Sequence, residues 1–291
     1  MHVMLASCTA LPEGDGDEAG LVEALAGHGV DARWEPWGGE VPADTLVVLR
    51  ATWDYTDRPE EFHRWCAGVP RLANEHRVVR HNLDKSYLVG LGEAGVPVIP
   101  TLVVPPGAPL PELPGEIVVK PAVGAGSRGA GRFPAGRAEQ ARAHLRGLHA
   151  DGSVALVQPY QPAVDEHGEQ ALVFLGGSYS HAFTKGPMLR GGAVDTGDEL
   201  YLAERLTAAE PDEATRAVAE HALAETARQV GVAAGDLLYA RVDVVRGAEG
   251  PLVLEVELTE PSLGFKFGGA AALDRFARAI AERASRPAPV G

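Results

Sequence analysis

Apolar stretches alternate with amphipathic segments along the first part of the chain. Residues 2–7 and 45–49 are short apolar runs, as expected for strands that are buried on both faces of a sheet. Residues 17–28 and 59–67 have the apolar spacing of amphipathic helices, and the second of these begins with a proline. The pattern therefore predicts a small α/β unit over residues 1–81.

The later chain mixes helices, single strands and hairpins. Asn82 is a candidate N-cap for a helix over residues 82–94. Further helices are predicted at residues 137–149, 213–230 and 270–284. Strands are predicted at residues 98–104, 116–120 and 154–158, and in two hairpins that pair 170–175 with 179–185 and 238–245 with 252–258. Residues 186–200 read as a polar, glycine-rich loop. This mixture predicts α/β and α+β architecture and not one doubly wound sheet.

The composition narrows the classes of partner. The net charge is −14, which argues against a nucleic-acid backbone as partner but not against a nucleotide, since a nucleotide needs only a few local cations and a metal. Cys8 and Cys66 form neither a CxxC motif nor a metal-binding spacing, so we expect ordinary buried thiols. No signal peptide and no apolar run of membrane-spanning length is evident, so a cytoplasmic protein without a membrane partner is expected.

The late hairpin carries the most informative pattern of charges. Arg241 and Asp243 share one face of its first strand, and Glu255 and Glu257 share one face of the second. The register that keeps these acids out of the core places Asp243 opposite Glu255 and Arg241 opposite Glu257. Because opposed acids repel each other, three carboxylates on one face favour a cation, and oxygen-only ligands favour Mg²⁺ or Mn²⁺. The alternative is a solvated strand face with ordinary charge pairs.

A glycine-rich segment follows the strand that ends at Lys120. The sequence from Gly124 to Gly129 matches GxGxxG, but no helix opens at once and no GK[ST] follows, so neither a Rossmann nor a Walker A loop is predicted. Backbone N–H groups around Gly126, together with Ser127 and Arg128, could fold over phosphates, and Lys120 could add a point charge. Taken alone, the segment fits a plain surface loop equally well.

The order of these segments resembles that of the ATP-grasp superfamily, which includes D-alanine–D-alanine ligase and glutathione synthetase. The matching segments are Lys85 with residues 93–97, residues 118–121, the glycine-rich segment, and residues 156–160, 239–243 and 254–257. The resemblance covers roughly residues 82–268 and implies three domains. They are an N-terminal α/β domain over residues 1–81 and two α+β subdomains over residues 82–157 and 158–291 that enclose ATP.

The same resemblance implies roles for individual residues. Lys85 and Lys120 would contact the ATP phosphates, and Gln158, Pro159 and Tyr160 would line the adenine pocket. Glu169 is the candidate acid for the ribose or hinge, with Asp165 as its competitor. Arg241 would hold a phosphate or the tetrahedral intermediate, and Asp243 and Glu255 would bind Mg²⁺. The superfamily usually has Asn at the position of Glu257, which leaves the ligation of a second metal open.

The substrate side rests on weaker signals. Residues 50–55 follow a buried strand, so Arg50 could clamp a carboxylate while Asp54 holds an ammonium group and Tyr55 lines the pocket. A capped turn with a packed tryptophan is an equal alternative. His181 or Lys185, on one strand face, could act on the substrate, although a lone His is more often packed and hydrogen-bonded. Glu260 and Ser262 are further pocket candidates.

Together these features predict an ADP-forming ligase that joins a carboxylate to a nitrogen through an acyl phosphate. Closure of the glycine loop would exclude water. The segments around residues 50–55, 179–182 and 257–262 are similar to a compact group in bacterial secondary metabolism, which includes the cyclo-ligase that forms cycloserine from an O-ureido-serine. The alternatives are an intermolecular dipeptide-type ligase, an ATP-grasp kinase and a non-catalytic nucleotide-binding module. A small-molecule substrate and a homodimer are also expected.

Overall fold

The computed structural model describes residues 1–112, 114–189 and 205–286. Its first sheet is parallel, with strand order β2–β1–β3–β4. In chain order the elements are β1 (His2–Ser7), α1 (Leu21–Gly27), β2 (Asp31–Pro36), β3 (Thr45–Ala51), α2 (Pro59–Gly68) and β4 (Leu72–Ala73). The central strands β1 and β3 are buried along nearly their whole length, which confirms the prediction from their apolar runs.

Helix α1 begins at Leu21, later than predicted. Its N-cap, Gly20, has a φ of 86°, a left-handed conformation that an ordinary residue adopts only with strain. Asp17 precedes the helix because its carboxylate accepts three backbone N–H groups from residues 263–265, far along the chain. The apolar pattern of residues 17–28 therefore placed the helix correctly but not its first turn.

The second sheet is antiparallel, with strand order β5–β8–β6–β7. Along the chain, two helices come before its first strand and a third helix connects two of its strands. In chain order the elements are α3 (His76–Leu83), α4 (Tyr87–Glu93), β5 (Leu102–Val104), β6 (Ile117–Pro121), β7 (Gly131–Phe133), α5 (Ala138–Ala150) and β8 (Ala155–Pro159). The glycine-rich segment is the connection between β6 and β7, so it lies at the end of the strand that carries Lys120.

The third sheet is also antiparallel, with strand order β11–β10–β9–β12–β13. Its elements are α6 (Val164–His167), β9 (Glu169–Leu175), β10 (Ser178–Lys185), β11 (Leu206–Ala208), α7 (Glu213–Val230), β12 (Tyr239–Arg246), β13 (Pro251–Glu257) and α8 (Phe265–Ser285). Both predicted hairpins are present. The predicted loop over residues 186–200 lies largely outside the described residues, and in the described part no helix is long and apolar enough to cross a membrane.

Two apolar cores cover the faces of the third sheet. Helix α7 packs on one face, and its boundaries agree with the predicted helix over residues 213–230. Helix α8 packs between the other face and the first sheet, where Phe276 and Ile280 join a core with Val3 and Leu5. The C-terminal helix thus ties the first sheet to the third. The domain boundaries inferred from the superfamily resemblance stay a prediction.

Asn82 is not an N-cap, which corrects the expectation from the sequence. It lies within α3, before a break that separates α3 from α4, and it is buried. Its amide donates to the carbonyl of Val256 at 2.6 Å and accepts from the N–H of Leu258 at 2.7 Å and the hydroxyl of Thr259 at 3.2 Å. The side-chain amide of Asn82 therefore bonds to backbone groups at the end of β13, as a neighbouring strand would. This end of β13 carries the acids of the late hairpin.

We expect Asn82→Ala to lower the free energy of unfolding by about 1–3 kcal/mol. It leaves the buried N–H of Leu258 without its acceptor and removes one of the two side-chain donors to the carbonyl of Val256, where the Tyr87 hydroxyl remains. Urea denaturation monitored by circular dichroism measures this change. The matched control is Gln140→Ala on α5, an exposed amide that we expect to change stability by less than about 0.5 kcal/mol. Equal stabilities of the Asn82 variant and the wild type would contradict the assignment.

The late hairpin has the predicted register, with one departure. Asp243 lies opposite Glu255 and Arg241 opposite Glu257, as expected from the charge pattern. Next to these pairs the register shifts, because Val244 pairs with Val253 and Leu254 is the extra residue of a β-bulge. Leu254 lines a cavity together with Glu255.

Candidate active site

One cavity of about 490 Å³ is lined by residues of the second and third sheets and by loops that follow β1 and β3 of the first sheet. Its volume is within the usual size of a small-molecule site. Most of the residues singled out from the sequence line it. They are Lys85, Lys120, Gly126, Ser127, Arg128, Gln158, Pro159, Tyr160, Glu169, Lys185, Arg241, Glu255, Glu257, Glu260 and Ser262. The tertiary structure thus brings together groups that are spread over most of the sequence.

A cluster of three carboxylates forms the acidic part of the site. Asp243, Glu255 and Glu257 each offer a carboxylate oxygen within 4.8 Å of the others. Asp243 is fully buried on β12, while both glutamates on β13 line the cavity. Donors that are all oxygen suit Mg²⁺ or Mn²⁺ better than zinc, so the residues present fit the expected metal.

Two cations lie directly against these acids. Lys185 Nζ is 2.6 Å from Asp243 Oδ2 and 3.0 Å from Glu169 Oε2. Arg241 donates from Nε and Nη2 to the two oxygens of Asp243, at 2.8 and 2.9 Å, and its Nη2 is 2.8 Å from Glu257 Oε2. A metal that takes an oxygen of Asp243 would need one of these cations to shift, and a phosphate in the cavity would give it a new anionic partner.

Two further lysines reach the site from the second sheet and the segment before it. Lys85 Nζ lies 3.7 Å from Glu255 Oε2 and donates to the carbonyl of Gly124 at 2.6 Å, at the start of the glycine-rich segment. Lys120 forms no ion pair within 4.0 Å in residues 1–112, 114–189 and 205–286. Burial lowers the pKa of Lys120, and Glu255 opposes that shift. Such a lysine is suited to an incoming anion.

The two glutamates of β13 have pKa values shifted in opposite directions. Burial would raise the pKa of Glu255, but Lys85, Lys120 and Lys185 hold it well below its usual range. Burial raises the pKa of Glu257 to about 8; Arg241 opposes the rise and Glu255 adds to it. Glu255 is therefore the acid of this pair that is charged at neutral pH without a bound metal.

The opposite end of the cavity is apolar. Gln158, Pro159 and Tyr160 line it at the end of β8, and the Gln158 amide donates to the Thr101 hydroxyl at 2.8 Å. The apolar side chains around it were not singled out from the sequence, because their only signal was that of ordinary core residues; they are Ile99, Val118, Val164, Val245 and Leu254. A flat apolar slot of this kind suits a planar ring system.

Asp165 does not line this cavity. Its carboxylate accepts from the Tyr160 hydroxyl at 2.7 Å and from two nitrogens of Arg132 at 2.8 and 2.9 Å. These hydrogen bonds, Arg132 first, lower the pKa of Asp165. The Arg132 guanidinium also stacks on the Tyr160 ring at 3.5 Å, so Asp165 orients Tyr160 from behind. Of the two candidate ribose acids, Glu169 is the one that reaches the cavity.

The glycine-rich segment contacts the part of the chain that follows β3 of the first sheet. Gly126 and Ser127 have left-handed φ values of 59° and 61°. The Arg128 guanidinium donates to the Thr56 hydroxyl at 2.8 Å and to Asp57 at 3.0 Å. Arg128 lines the cavity, but a contact with phosphate would require its release from Asp57.

The segment at residues 50–55 mainly donates hydrogen bonds to the loop that contains residues 260 and 261. Arg50 is buried, pairs with Glu18 and donates to the carbonyl of Pro261 at 2.5 Å, so the expected carboxylate clamp finds no free guanidinium there. Asp54 accepts from Trp37 Nε1 at 2.6 Å and from Arg58 at 2.9 Å and does not line the cavity. The residue of this segment that lines the main cavity is Trp53, whose indole donates to the carbonyl of Glu260 at 3.2 Å.

Two other predicted residues also lie behind the cavity wall. Tyr55 is buried and stacks on Phe62 at 4.9 Å, and it lines a small neighbouring cavity together with Glu260. His181 lies within the packing, with Nε2 2.7 Å from the carbonyl of Leu263. Because a carbonyl only accepts, this nitrogen donates, and burial lowers the pKa of His181. His181 thus has the packed, hydrogen-bonded setting that was the alternative to a catalytic role.

Some residues that line the cavity were not singled out from the sequence. Asp15, Gly16, Asp17 and Lys266 line it beside Glu260 and Ser262, and the Ser262 hydroxyl is 3.2 Å from Asp15 Oδ2. A signal was present, because the acidic loop follows the carboxyl end of the parallel strand β1, where ligands bind in open α/β sheets. Residues 50–55 likewise lie at the carboxyl end of β3.

Comparison with known proteins identifies the family. Residues 3–74 match the model of the N-terminal domain of D-cycloserine synthetase DcsG. The cycloserine biosynthesis protein DcsG of Streptomyces lavendulae is 41% identical over 287 residues, which span 92% of this chain and 94% of that protein. The crystal structure of D-cycloserine synthetase DcsG is 38% identical, with a TM-score of 0.87 over 98% of this chain and 100% of that one.

A more distant structure shows how widely the fold is shared. D-alanine–D-alanine ligase from Bacillus anthracis, solved in complex with ATP, superposes with a TM-score of 0.63 at 14% identity, over 98% of this chain and 97% of that one. This likeness confirms the ATP-grasp fold expected from the order of the sequence segments. With the close similarity to DcsG, it leads to one conclusion: the chain belongs to the DcsG family of ATP-grasp ligases.

Proposed function

We propose that this protein is an ATP- and Mg²⁺-dependent cyclo-ligase that joins the carboxylate and a nitrogen of one small, amino-acid-derived substrate, as D-cycloserine synthetase does. The observation that carries the proposal is the meeting of three carboxylates and four basic side chains in one cavity of a DcsG-family chain. The basic side chains are Lys85, Lys120, Lys185 and Arg241. Such an arrangement suits the transfer of a phosphoryl group to a carboxylate.

The basic residues would hold the triphosphate. Lys120 has no competing ion pair in the described part of the chain, and Lys85 lies between Glu255 and the glycine-rich segment. Lys185 and Arg241 can exchange a carboxylate for a phosphate oxygen with little movement, because they already lie at the cavity wall. The main chain around Gly126 and Ser127 would cover the phosphates and exclude water from the acyl phosphate.

Asp243, Glu255 and Glu257 would hold the metal, which neutralises phosphate charge so that the substrate carboxylate can approach the terminal phosphorus. The apolar slot at Gln158, Pro159 and Tyr160 would take the adenine ring, with Glu169 on the ribose side. This arrangement leaves the substrate for the end formed by Asp15, Trp53, Glu260 and Ser262. The substrate carboxylate would then lie between the phosphates and that end.

The test is substrate-dependent release of ADP. Purified protein with ATP and Mg²⁺ is incubated with each enantiomer of O-ureido-serine, and with amino acids singly and in pairs, and ADP and organic products are measured. We expect ADP and a cyclic amide from one O-ureido-serine enantiomer, and a hydroxamate when hydroxylamine intercepts the acyl phosphate. A dipeptide from a pair of amino acids would instead support an intermolecular ligase.

Two outcomes would overturn the proposal. ADP with a phosphorylated hydroxyl group that survives hydroxylamine would identify a kinase. Nucleotide binding without ADP release on any substrate would identify a non-catalytic nucleotide-binding module. The homodimer expected from the superfamily, a cytoplasmic location and the lack of nucleic-acid or membrane partners stay predictions, and light scattering in solution tests the first of them.

A further inference from the structure

Glu260 stands apart from the other carboxylates of the cavity. Its side chain lines the cavity although the residue is only 8% exposed. Tyr55 lines a small neighbouring cavity together with it, but no lysine, arginine or histidine nitrogen lies within 4.0 Å of it in the described part of the chain. A buried carboxyl group without a cationic partner is costly to retain, so its position calls for a role.

The loop that carries Glu260 is held unusually firmly. This β13–α8 loop (residues 258–264) has four successive carbonyl groups that each accept a hydrogen bond from a different part of the fold. The carbonyls of residues 260, 261, 262 and 263 accept from Trp53 at 3.2 Å, Arg50 at 2.5 Å, Arg241 at 3.0 Å and His181 at 2.7 Å. The carboxylate of Asp17 binds the N–H groups of residues 263–265. The position of Glu260 is therefore fixed by contacts to β3, β10, β12 and the first sheet's loops.

The other acids of the cavity already have partners. Glu169, Glu255 and Glu257 each have a lysine or arginine nitrogen within 3.7 Å. Asp17 binds three backbone N–H groups, and Asp15 accepts from the backbone N–H of Asp17 and the Ser262 hydroxyl. Among the described residues that line the cavity, Glu260 is thus the carboxyl group best able to take up a proton from a ligand.

The groups around Glu260 set the pKa of its carboxyl group near neutral pH. Burial raises the pKa of Glu260 to about 7, while Lys85, the Tyr55 hydroxyl, Arg50 and Arg241 oppose the rise. The buried phenol of Tyr239 and thiol of Cys66 also face it, and both stay neutral because burial raises their pKa values. A base with a pKa near the working pH is well suited to proton transfer.

We propose that Glu260 is the catalytic base that accepts the proton of the attacking nitrogen in the C–N bond-forming step, an inference that rests on the proposed function. The nitrogen lone pair forms the bond to the acyl carbon, and the carbon–oxygen bond to the phosphate breaks with its electron pair leaving on the phosphate. The N–H proton passes to the carboxylate of Glu260. Tyr55 is a positioning residue, since it lines a small cavity beside Glu260 and its hydroxyl lowers the pKa of that carboxyl group.

Glu260→Gln separates the two halves of the reaction. Hydroxylamine attacks acyl phosphates without help from a base, so the variant should still form the hydroxamate together with ADP. Formation of the cyclic amide should fall by about 10²-fold or more, the usual contribution of a general base. Glu249→Gln, in the exposed turn between β12 and β13, is the matched control and should form the amide at the wild-type rate.

The outcomes distinguish this inference from the proposed function. A wild-type protein that forms neither hydroxamate nor amide overturns both. A Glu260→Gln variant that forms the amide at the wild-type rate overturns the inference alone. A folded variant that loses hydroxamate and amide equally also overturns it, because Glu260 would then act before or during formation of the acyl phosphate.

A pH profile tests the same role with the carboxylate in place. Amide formation should decline as the pH falls through about 7, because Glu260 becomes protonated. In Tyr55→Phe the loss of a hydroxyl group that lowers the pKa of Glu260 should move this decline to higher pH. Tyr179→Phe, whose ring stacks under Arg216 at 4.1 Å, is the control and should leave the profile unchanged. A profile that does not move in Tyr55→Phe overturns the assignment.

Discussion

Glu255→Gln is expected to lower the turnover number for ADP release by at least about 10³-fold, equivalent to about 4 kcal/mol of transition-state stabilisation. The glutamine removes one of three charged oxygen ligands available to the metal. It also removes the acid around which Lys85, Lys120 and Lys185 are gathered, which the depressed pKa of Glu255 reflects. The measurement is ADP release over a series of Mg²⁺ concentrations with substrate in excess.

The exposed Glu249→Gln serves again as the control, since it makes the same chemical change outside the cavity. Circular dichroism establishes that both variants are folded. Activity above one-tenth of the wild type at saturating Mg²⁺ would mean that Glu255 is not a metal ligand. It would also weaken the ligase assignment in favour of a nucleotide-binding module, for which this residue should be dispensable.

Breaking the buried Glu18–Arg50 pair is the second large expected effect. The side chains are 3% and 1% exposed, and Arg50 Nε is 2.6 Å from Glu18 Oε1. Glu18→Met or Arg50→Met leaves one buried group without its partner and should lower the free energy of unfolding by about 3–5 kcal/mol. The double variant should lose much less than the sum of the single losses, since no buried charge is left without its partner.

Urea denaturation of the wild type, the two single variants and the double variant gives the coupling energy directly. The control is the exposed pair of Arg58 and Glu61, each with a side chain 46% exposed, for which we expect a coupling energy below about 1 kcal/mol. Additive losses at Glu18 and Arg50 would show that the pair does not act as a unit. Because Arg50 also holds the carbonyl of Pro261, Arg50→Met should lose ligase activity even at temperatures where it is folded.

The order of elements could be predicted from the sequence to a large extent. Apolar periodicity placed β1, β3, α2 and α7 and both hairpins of the third sheet, because side-chain spacing within one element depends on that element alone. Short strands such as β2 and β7, and the division into α3 and α4, were missed because their signals are weak and depend on neighbouring elements.

The candidate site also has features that the sequence predicted and features that it could not predict. The charge pattern alone placed Asp243 opposite Glu255, since a one-residue slip would turn the acids to the opposite, apolar face of the hairpin. The residues around positions 50–55 were recognised as part of the site's surroundings. However, the sequence could not tell that Trp53 reaches the cavity while Arg50 and Tyr55 support Glu260 from behind.

By itself, the sequence determined the hairpin that carries the acids, the lysines that face them and the superfamily that combines both. These features are local or depend on the order of segments. The tertiary structure alone decided which side chains hold the β13–α8 loop, because those hydrogen bonds join residues that are as many as 247 positions apart. It also decided that Glu260 lies in the cavity without a cationic partner among the described residues, since burial and distance from other charges are properties of the folded chain.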